Sequence, residues 1–277
     1  PQATWTHTGE HWVASCSHRV SHVAKSVRRH FQRADKPEAS VQSTATCAPL
    51  HLFAAGLASK EISDSDIERA LEAGATAILT DRLLPFAVPQ CIVPNVPQAY
   101  ARVVHALHGT PSKKMLTIGV VGSHGKTTVA LMVASMMKQV AGKAAYHTSL
   151  GCLPEAKPTS SETIGAHIDS LQSWMRRAKK QAMPAAVVEL TDAMLLDQAS
   201  SGLEFDVIVI PSLRRSQRCS LSQSRRWENA LERTCKQLKK HGLVVYNGDD
   251  ARLSRWIHRN QIVAVSYGLD ADANVRG

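Results

Sequence analysis

The sequence predicts an α/β protein in two parts, a small N-terminal α/β domain followed by a doubly wound parallel sheet that carries a phosphate loop. Three observations predict it. Apolar runs of strand length alternate with amphipathic segments of helix length along most of the chain. In the second part those runs are apolar on both faces, the pattern of parallel strands covered by helices on each side. Between one such run and the next helix lies GVVGSHGKTTVALM, residues 119–132, with three glycines, a lysine and two threonines at the turn.

Taken in order, residues 1–40 mix His, Ser, Arg and Gln without periodicity and read as an irregular N-terminal extension. The first domain is expected over 41–110. LHLFAAG reads as a short strand there. ISDSDIERALEAGA opens on Ser and Asp capping signals, sets Ile67, Ala70 and Leu71 on one face and stops at Gly74, so it is a helix. TAILTD and QCIVPNV read as strands, and PQAYARVVHALHG as a helix with Val103, Val104 and Leu107 inward. The polar HGTPSKKM is the expected linker. From 115 to 277, LTIGVVG, GKAAYHT, AAVVEL, DVIVIPSL, GLVVYN and IVAVSYG are the strands of the second domain. Sheets of this kind bind ligands beyond the carboxyl ends of their strands.

Composition narrows the function classes. With 277 residues, 44% of them hydrophobic, the chain can bury two cores. No apolar stretch approaches the ~20 residues of a membrane helix, so membrane insertion is not expected and the chain reads as cytoplasmic. Six cysteines (Cys16, Cys47, Cys91, Cys152, Cys219 and Cys235) form no C-x-x-C and are expected as thiols. The pairs His7/His11 and His18/His22 would share a helix face, but no further ligand pattern completes a zinc site. The net charge of +10 gathers at Arg28/Arg29, Arg176/Arg177 and Arg214 to Arg226, as solvated faces or for an anionic ligand. Aromatics are only 5% and no recognition motif accompanies the arginines, so a nucleic-acid partner is not expected.

The turn in 119–132 carries the chemistry. Gly122 and Gly125 would shape the loop, Ser123 and His124 would lie within it, and Lys126 would neutralise phosphate at the positive end of the following helix. Thr127 would ligate Mg2+, with Thr128 beside it. The pattern G-x-x-x-x-G-K-S/T would need glycine at 120, where this chain has Val120; its glycines fall at 119, 122 and 125. A plain strand-to-helix turn accounts for glycines but not for Lys-Thr-Thr opening the helix.

The spacing G-x-x-G-x-x-G-K-T-T resembles the ATP loop of the Mur ligases and is most similar to the MurE type. The resemblance extends to LEAGATAIL, to VPQCIVPNVPQAYARVVHALHGTPSKKM, and then to VVEL, GLEFDVIVIPSL, VVYNGDD and VSYGLDADANVRG. It implies a P-loop ATP-binding central domain with ATP and Mg2+ as cofactors. The implied activity adds an amino acid to UDP-MurNAc-L-Ala-D-Glu in peptidoglycan precursor synthesis, through phosphorylation of a carboxylate and attack by an amine. UDP-muramoyl peptide and an amino acid would be the substrates, and protein partners are not specified. By the same resemblance Lys126 is the loop lysine, Thr127 and Glu189 hold the metal, and Asn247 and Asp250 lie against the adenosine. Glu189 could instead face water, and Asn247 could be a turn residue. The family's C-terminal ligase domain lies beyond this chain, which reads as a fragment.

The chain departs from the pattern at several points. Ser216, Gln217, Arg218 and Cys219 stand where the family has Asp-His-Leu-Asp, and Leu231 stands at the carbamylated lysine. Thr191, Asp192 and Ala193 replace Ser-Ser-His, and Ser43, Thr44 and Ala45 replace Asp-Ser-Arg. Thr159, Ser160 and Ser161 only echo the substrate segment. Arg214, Arg215 and Arg218 could supply the missing positive charge, or form a solvated loop. A catalytically degenerate ATP-binding paralogue with a scaffold or regulatory role is therefore the alternative.

Overall fold

Among the described residues, one hydrophobic cluster packs on each of two sheets. The computed structural model describes residues 4–8, 11–15, 51–55, 57, 63–155, 164–213, 221–269 and 273–277. Its contacts divide into one unit of Pro1–Gly109 with Thr159–Gln172 and another of Thr110–Pro158 with Ser173–Gly277.

The first unit holds a five-stranded sheet: β1 (Thr4–Thr8), β2 (His11–Ser15), β3 (His51–Ala54), β4 (Ala75–Thr80) and β5 (Gln90–Ile92), in the order β1-β2-β5-β4-β3. Only β1 and β2 pair antiparallel. These two strands lie where the sequence reads as an irregular extension. TWTHT and HWVAS are rich in Thr, Trp and Val, types that fit a pleated surface, and long-range pairing of β2 with β5 supplies the order that periodicity does not reveal. His7 and His11 sit on paired extended strands, opposite Trp12 and Thr8, so the helical spacing expected of them is not realised. His18 and His22 lie outside the described residues.

Helix α1 (Asp64–Glu72) begins as its sequence indicates. Ser63 accepts the Asp66 N–H while Asp66 reaches back to the Ser63 N–H, a reciprocal capping box that satisfies two end donors. Its buried Ile67 and Ala70 pack with Phe53 and Ile78 of the sheet. Helix α2 (Val96–Leu107) starts where Asn95 Oδ1 accepts the Gln98 N–H at 2.8 Å, and buries Val103 and Val104.

The expected linker is not a free tether. Pro111–Lys114 forms a 3-10 turn with Ser112 fully buried, its Oγ accepting the Glu204 N–H at 3.0 Å. A buried hydroxyl is tolerated because it has a partner.

The second unit holds eight strands: β6 (Leu116–Val120), β7 (Ala145–Thr148), β8 (Gly151–Leu153), β9 (Ala185–Glu189), β10 (Phe205–Ile210), β11 (Leu238–Asn247), β12 (Ala264–Gly268) and β13 (Val275–Arg276). Their order is β13-β12-β11-β10-β6-β9-β7-β8, and every pairing except β7 with β8 is parallel. After β6 the chain runs to one side of the sheet, returns at β9, and then builds outward from β10 on the other. Strand β6 is therefore flanked by β9 and β10, and the winding reverses there. That reversal opens a crevice at the carboxyl end of β6, where the phosphate loop follows.

Helix α3 (Lys126–Ala141) packs Ala130 and Ala134 against Ile118, Val120, Val187 and Val209 of β6, β9 and β10. The remaining helices are α4 (Ile164–Lys180), the short α5 (Asp192–Leu196), α6 (Leu221–Cys235) and α7 (Ala251–Arg259). Leu231 of α6 is fully buried, in line with packing. Among the described residues no helix is long and apolar enough to cross a membrane.

Candidate functional site

Residues 121–125 turn from β6 into α3 under the control of Ser212, which follows β10. The Ser123 N–H donates to the Ser212 carbonyl at 3.0 Å, and the His124 N–H donates to Ser212 Oγ at 3.0 Å. Two of the loop's amides are thus directed at the protein. Gly122 lies at φ +156°, and a Cβ there would come within 2.8 Å of the Ser212 carbonyl oxygen. No side chain fits in that space. Gly125 is the N-cap of α3 at φ +77°, a left-handed conformation suited to glycine.

That cap has a chemical consequence. Glycine offers no side-chain oxygen to the helix end and no described side chain caps α3, so the first-turn N–H groups of Lys126, Thr127 and Thr128 have no intrahelical acceptor. The uncapped start of this sixteen-residue helix offers an anion both free amides and the positive end of the helix dipole. Lys126 adds a mobile cation. Its ammonium donates to the Gly122 carbonyl at 2.9 Å and lies 3.5 Å from Asp192 Oδ1.

Beside the cradle, Thr127 Oγ1 donates to Glu189 Oε1 at 2.8 Å. Glu189 ends β9 and is only 3% exposed, so it does not face water. Its other oxygen accepts from the Ser149 N–H at 2.9 Å and from Ser149 Oγ at 3.2 Å, while Ser149 Oγ lies 3.1 Å from Thr127 Oγ1. Hydroxyl and carboxylate oxygens are the hard donors that Mg2+ takes, and it commonly completes its shell with water and phosphate. The donor set fits such a cation. Among the described residues no three His, Cys, Asp or Glu side chains gather as a self-contained metal site.

The remaining expected residues sit elsewhere in the same unit. Asn247 Oδ1 accepts the Asp249 N–H at 3.0 Å, which is the turn role, and its side-chain amide stays available. Asp250 caps α7 through Oδ1, accepting from the Arg252 and Leu253 N–H groups, and Oδ2 accepts the Leu213 N–H at 2.8 Å. Asp250 thus fastens the segment after β10 to the start of α7. Arg214, Arg215, Arg218 and the neighbouring Ser216, Gln217 and Cys219 lie outside the described residues, as do Ser43, Thr44, Ala45, Thr159, Ser160, Ser161, Arg28 and Arg29.

Sequence reading passed over Ser149 and Ser212 as site residues. Both follow the carboxyl ends of strands, β7 and β10, and that position is the signal that could have found them. Behind the site, His147 of β7 sets its ring edge-on to Trp174 at 5.4 Å between centroids. Its Nδ1 is shut off from water and has no partner among the described residues, and the same holds for Nε and Nη2 of Arg177. Desolvation pushes the His147 imidazole down to about 4; the Glu189 charge opposes that shift and Arg177 reinforces it.

A family model described as the Mur ligase middle domain matches residues 120–277, more than half of the chain. The chain belongs to the Mur ligase family. Among curated Mur ligases, it is 26% identical over 214 residues to the UDP-N-acetylmuramoyl-L-alanyl-D-glutamate--2,6-diaminopimelate ligase of Chlamydia caviae, covering 75% of this chain and 43% of that protein. The enzyme of the same name from Chlorobaculum tepidum is 30% identical over 191 residues, covering 67% of this chain and 37% of the relative. The chain therefore spans less than half the length of these relatives. A solved structure of a ligase of that name superposes with a TM-score of 0.66 at 20% identity, over 84% of this chain and 49% of that one. The MurF ligase of Thermotoga maritima, solved with ADP, gives 0.51 at 17% identity over 84% and 50%. At these identities the structural likeness is one of fold.

Proposed function

We propose that this chain is the ATP-handling part of a Mur ligase that joins an amino acid to UDP-MurNAc-L-Ala-D-Glu, the reaction for which its curated relatives are named. The observation that carries the reading is the uncapped start of α3 beside the Lys126 ammonium and the Thr127–Glu189 pair. ATP, when bound, would supply the phosphoryl group that activates a carboxylate toward an amine. The chain's own residues would do the rest. Lys126 would leave the Gly122 carbonyl to meet the terminal phosphates, and the α3 amides would hold a neighbouring phosphate. Thr127 and Glu189 would hold Mg2+, with Ser149 keeping the carboxylate in place. Asn247 and Asp250 are proposed to lie along the adenosine, where Asp250 would act by ordering the loop that borders it.

A second reading rests on a specific observation. Leu231, at the position where the family carries its carbamylated lysine, is fully buried, and a leucine can neither take up carbon dioxide nor bind a cation. A chain that binds ATP without turnover, acting as a scaffold or regulator, is compatible with that.

Calorimetric titration with Mg·ATP tests the shared core. Binding is expected, and Lys126→Ala should weaken it by about a hundredfold, a loss of roughly 2.7 kcal/mol. No heat with the parent chain, or unchanged binding in the variant, would overturn both readings. ADP release by the complete protein in the presence of UDP-MurNAc-L-Ala-D-Glu and an amino acid separates them, because only the ligase produces it.

A further inference from the structure

We propose that a cleft between α6 and α7 is a second oxyanion site, built to take a phosphoryl group, separate from the phosphate loop and independent of the reading given for it. The cleft has a volume of about 430 Å3 and is lined by Leu213, Glu228, Arg252, Arg255, Trp256 and Arg259. That is a size at which small phosphorylated ligands fit.

Its charge is the argument. Arg252, Arg255 and Arg259 recur at i, i+3 and i+7 along α7, which brings three guanidinium groups to one helix face. One carboxylate meets them. Glu228 Oε1 lies 3.4 Å from Arg252 Nη2 and Glu228 Oε2 lies 3.2 Å from Arg259 Nη2, so a single acid is shared by two bases at long hydrogen-bond distances. Arg255 has no carboxylate partner among the described residues; its Nε donates to the Ala251 carbonyl at 3.1 Å, which anchors the stem and leaves the terminal nitrogens of its fork open. Three guanidinium groups against one carboxylate leave the cleft with a formal surplus of two positive charges, the complement of a phosphate dianion.

The walls support a compact ligand more than an extended one. Trp256, 4% exposed, and Leu213, 5% exposed, close the inner side with apolar surface, which strengthens charge pairing within. Leu213 also places the cleft in the fold. It follows Ser212 beyond the carboxyl end of β10, and its N–H is held by Asp250 Oδ2. One wall of the cleft thus stands at the carboxyl edge of the sheet, and the rest runs down α7 to Arg259.

Inorganic pyrophosphate is the probe, titrated by calorimetry into the full chain carrying Lys126→Ala, which disables the phosphate loop. One class of binding is expected in that background, reported also by a change in tryptophan emission. Arg255→Ala should weaken it at least about tenfold, as the loss of a charge-assisted fork requires. Glu228→Gln should tighten it by releasing Arg252 and Arg259. Arg255 is exposed and makes no ion pair among the described residues, so its variant should keep the parent circular dichroism and melting temperature. No heat in the Lys126→Ala chain, or equal binding after Arg255→Ala, would overturn the proposal. So would tight, steeply salt-dependent binding of duplex DNA with none of pyrophosphate, which would assign the arginines to a nucleic-acid backbone. Failure here leaves Mg·ATP binding by the parent chain untouched, so the two readings fail separately.

Discussion

Thr127 Oγ1 and Glu189 Oε1 stand 2.8 Å apart, although 62 residues of chain separate them. The hydroxyl donates to a carboxylate that is almost wholly buried and that receives two further hydrogen bonds from Ser149. Buried carboxylate oxygens need hydrogen-bond partners, and these fix the Glu189 carboxylate beside Thr127, where the proposed reading puts Mg2+. Glu189→Gln should therefore weaken binding of Mg·ATP by about tenfold or more, the scale of a lost charged interaction, and leave metal-free ATP binding nearly unchanged. Titrations with and without Mg2+ read the difference; equal losses in both would show that Glu189 serves only the loop's structure.

Lys126 is partly engaged before any ligand arrives. Asp192 Oδ1 lies 3.5 Å from its ammonium and also accepts from Trp227 Nε1 at 3.4 Å, and its side chain is 60% exposed. Lys126 is only 13% exposed, but its partner stands largely in water at 3.5 Å, and such a solvent-screened pair contributes about 1 kcal/mol, so the competition with phosphate is mild. Asp192→Asn should tighten Mg·ATP about two- to fivefold, with the gain shrinking as salt is added. Weaker binding in this variant would instead make Asp192 part of the ligand site.

His147 predicts a pH response. Its folded imidazole titrates at about 4 against an ordinary value of 6.5, so the unfolded chain takes up a proton first as pH falls. The stability it contributes is complete above the unfolded value and is lost between about 6.5 and 4. The loss is on the order of 3 kcal/mol. Urea unfolding across that range should show the decline, and His147→Phe, which keeps a ring against Trp174, should flatten it. A parallel decline in the variant would assign the effect to other groups.

Leu231 can test the reading that it stands where the family carries its carbamylated lysine. It is fully buried on α6, so Leu231→Lys would bury an ammonium and should cost roughly 3 kcal/mol or more in thermal or urea unfolding. A stable variant with rising ADP release in bicarbonate would mean that the pocket tolerates the family's chemistry.

Local patterns were readable because their causes are local. Ser63 and Asp66 form a cap within one turn, and Asn95 does the same for α2. The phosphate loop was legible for the same reason, since Gly122, Gly125, Lys126 and Thr127 act on adjacent backbone. Asp250 shows what local pattern does not reach: its oxygens accept from three backbone N–H groups, one of them on Leu213, 37 residues away in the chain. The short β1 and β2 escaped notice because their order comes from pairing with each other and with β5, not from periodicity.

From residue order alone came the α/β class and the strand-to-helix phosphate loop, both properties of neighbouring residues. Only the folded chain decided that β6 would lie between β9 and β10, and hence that Ser149, Glu189, Asp192 and Ser212 would surround the start of α3. The physical reason is that strand order is set by pairing and burial between distant segments. The side chains at the strand ends acquire their neighbours from that packing.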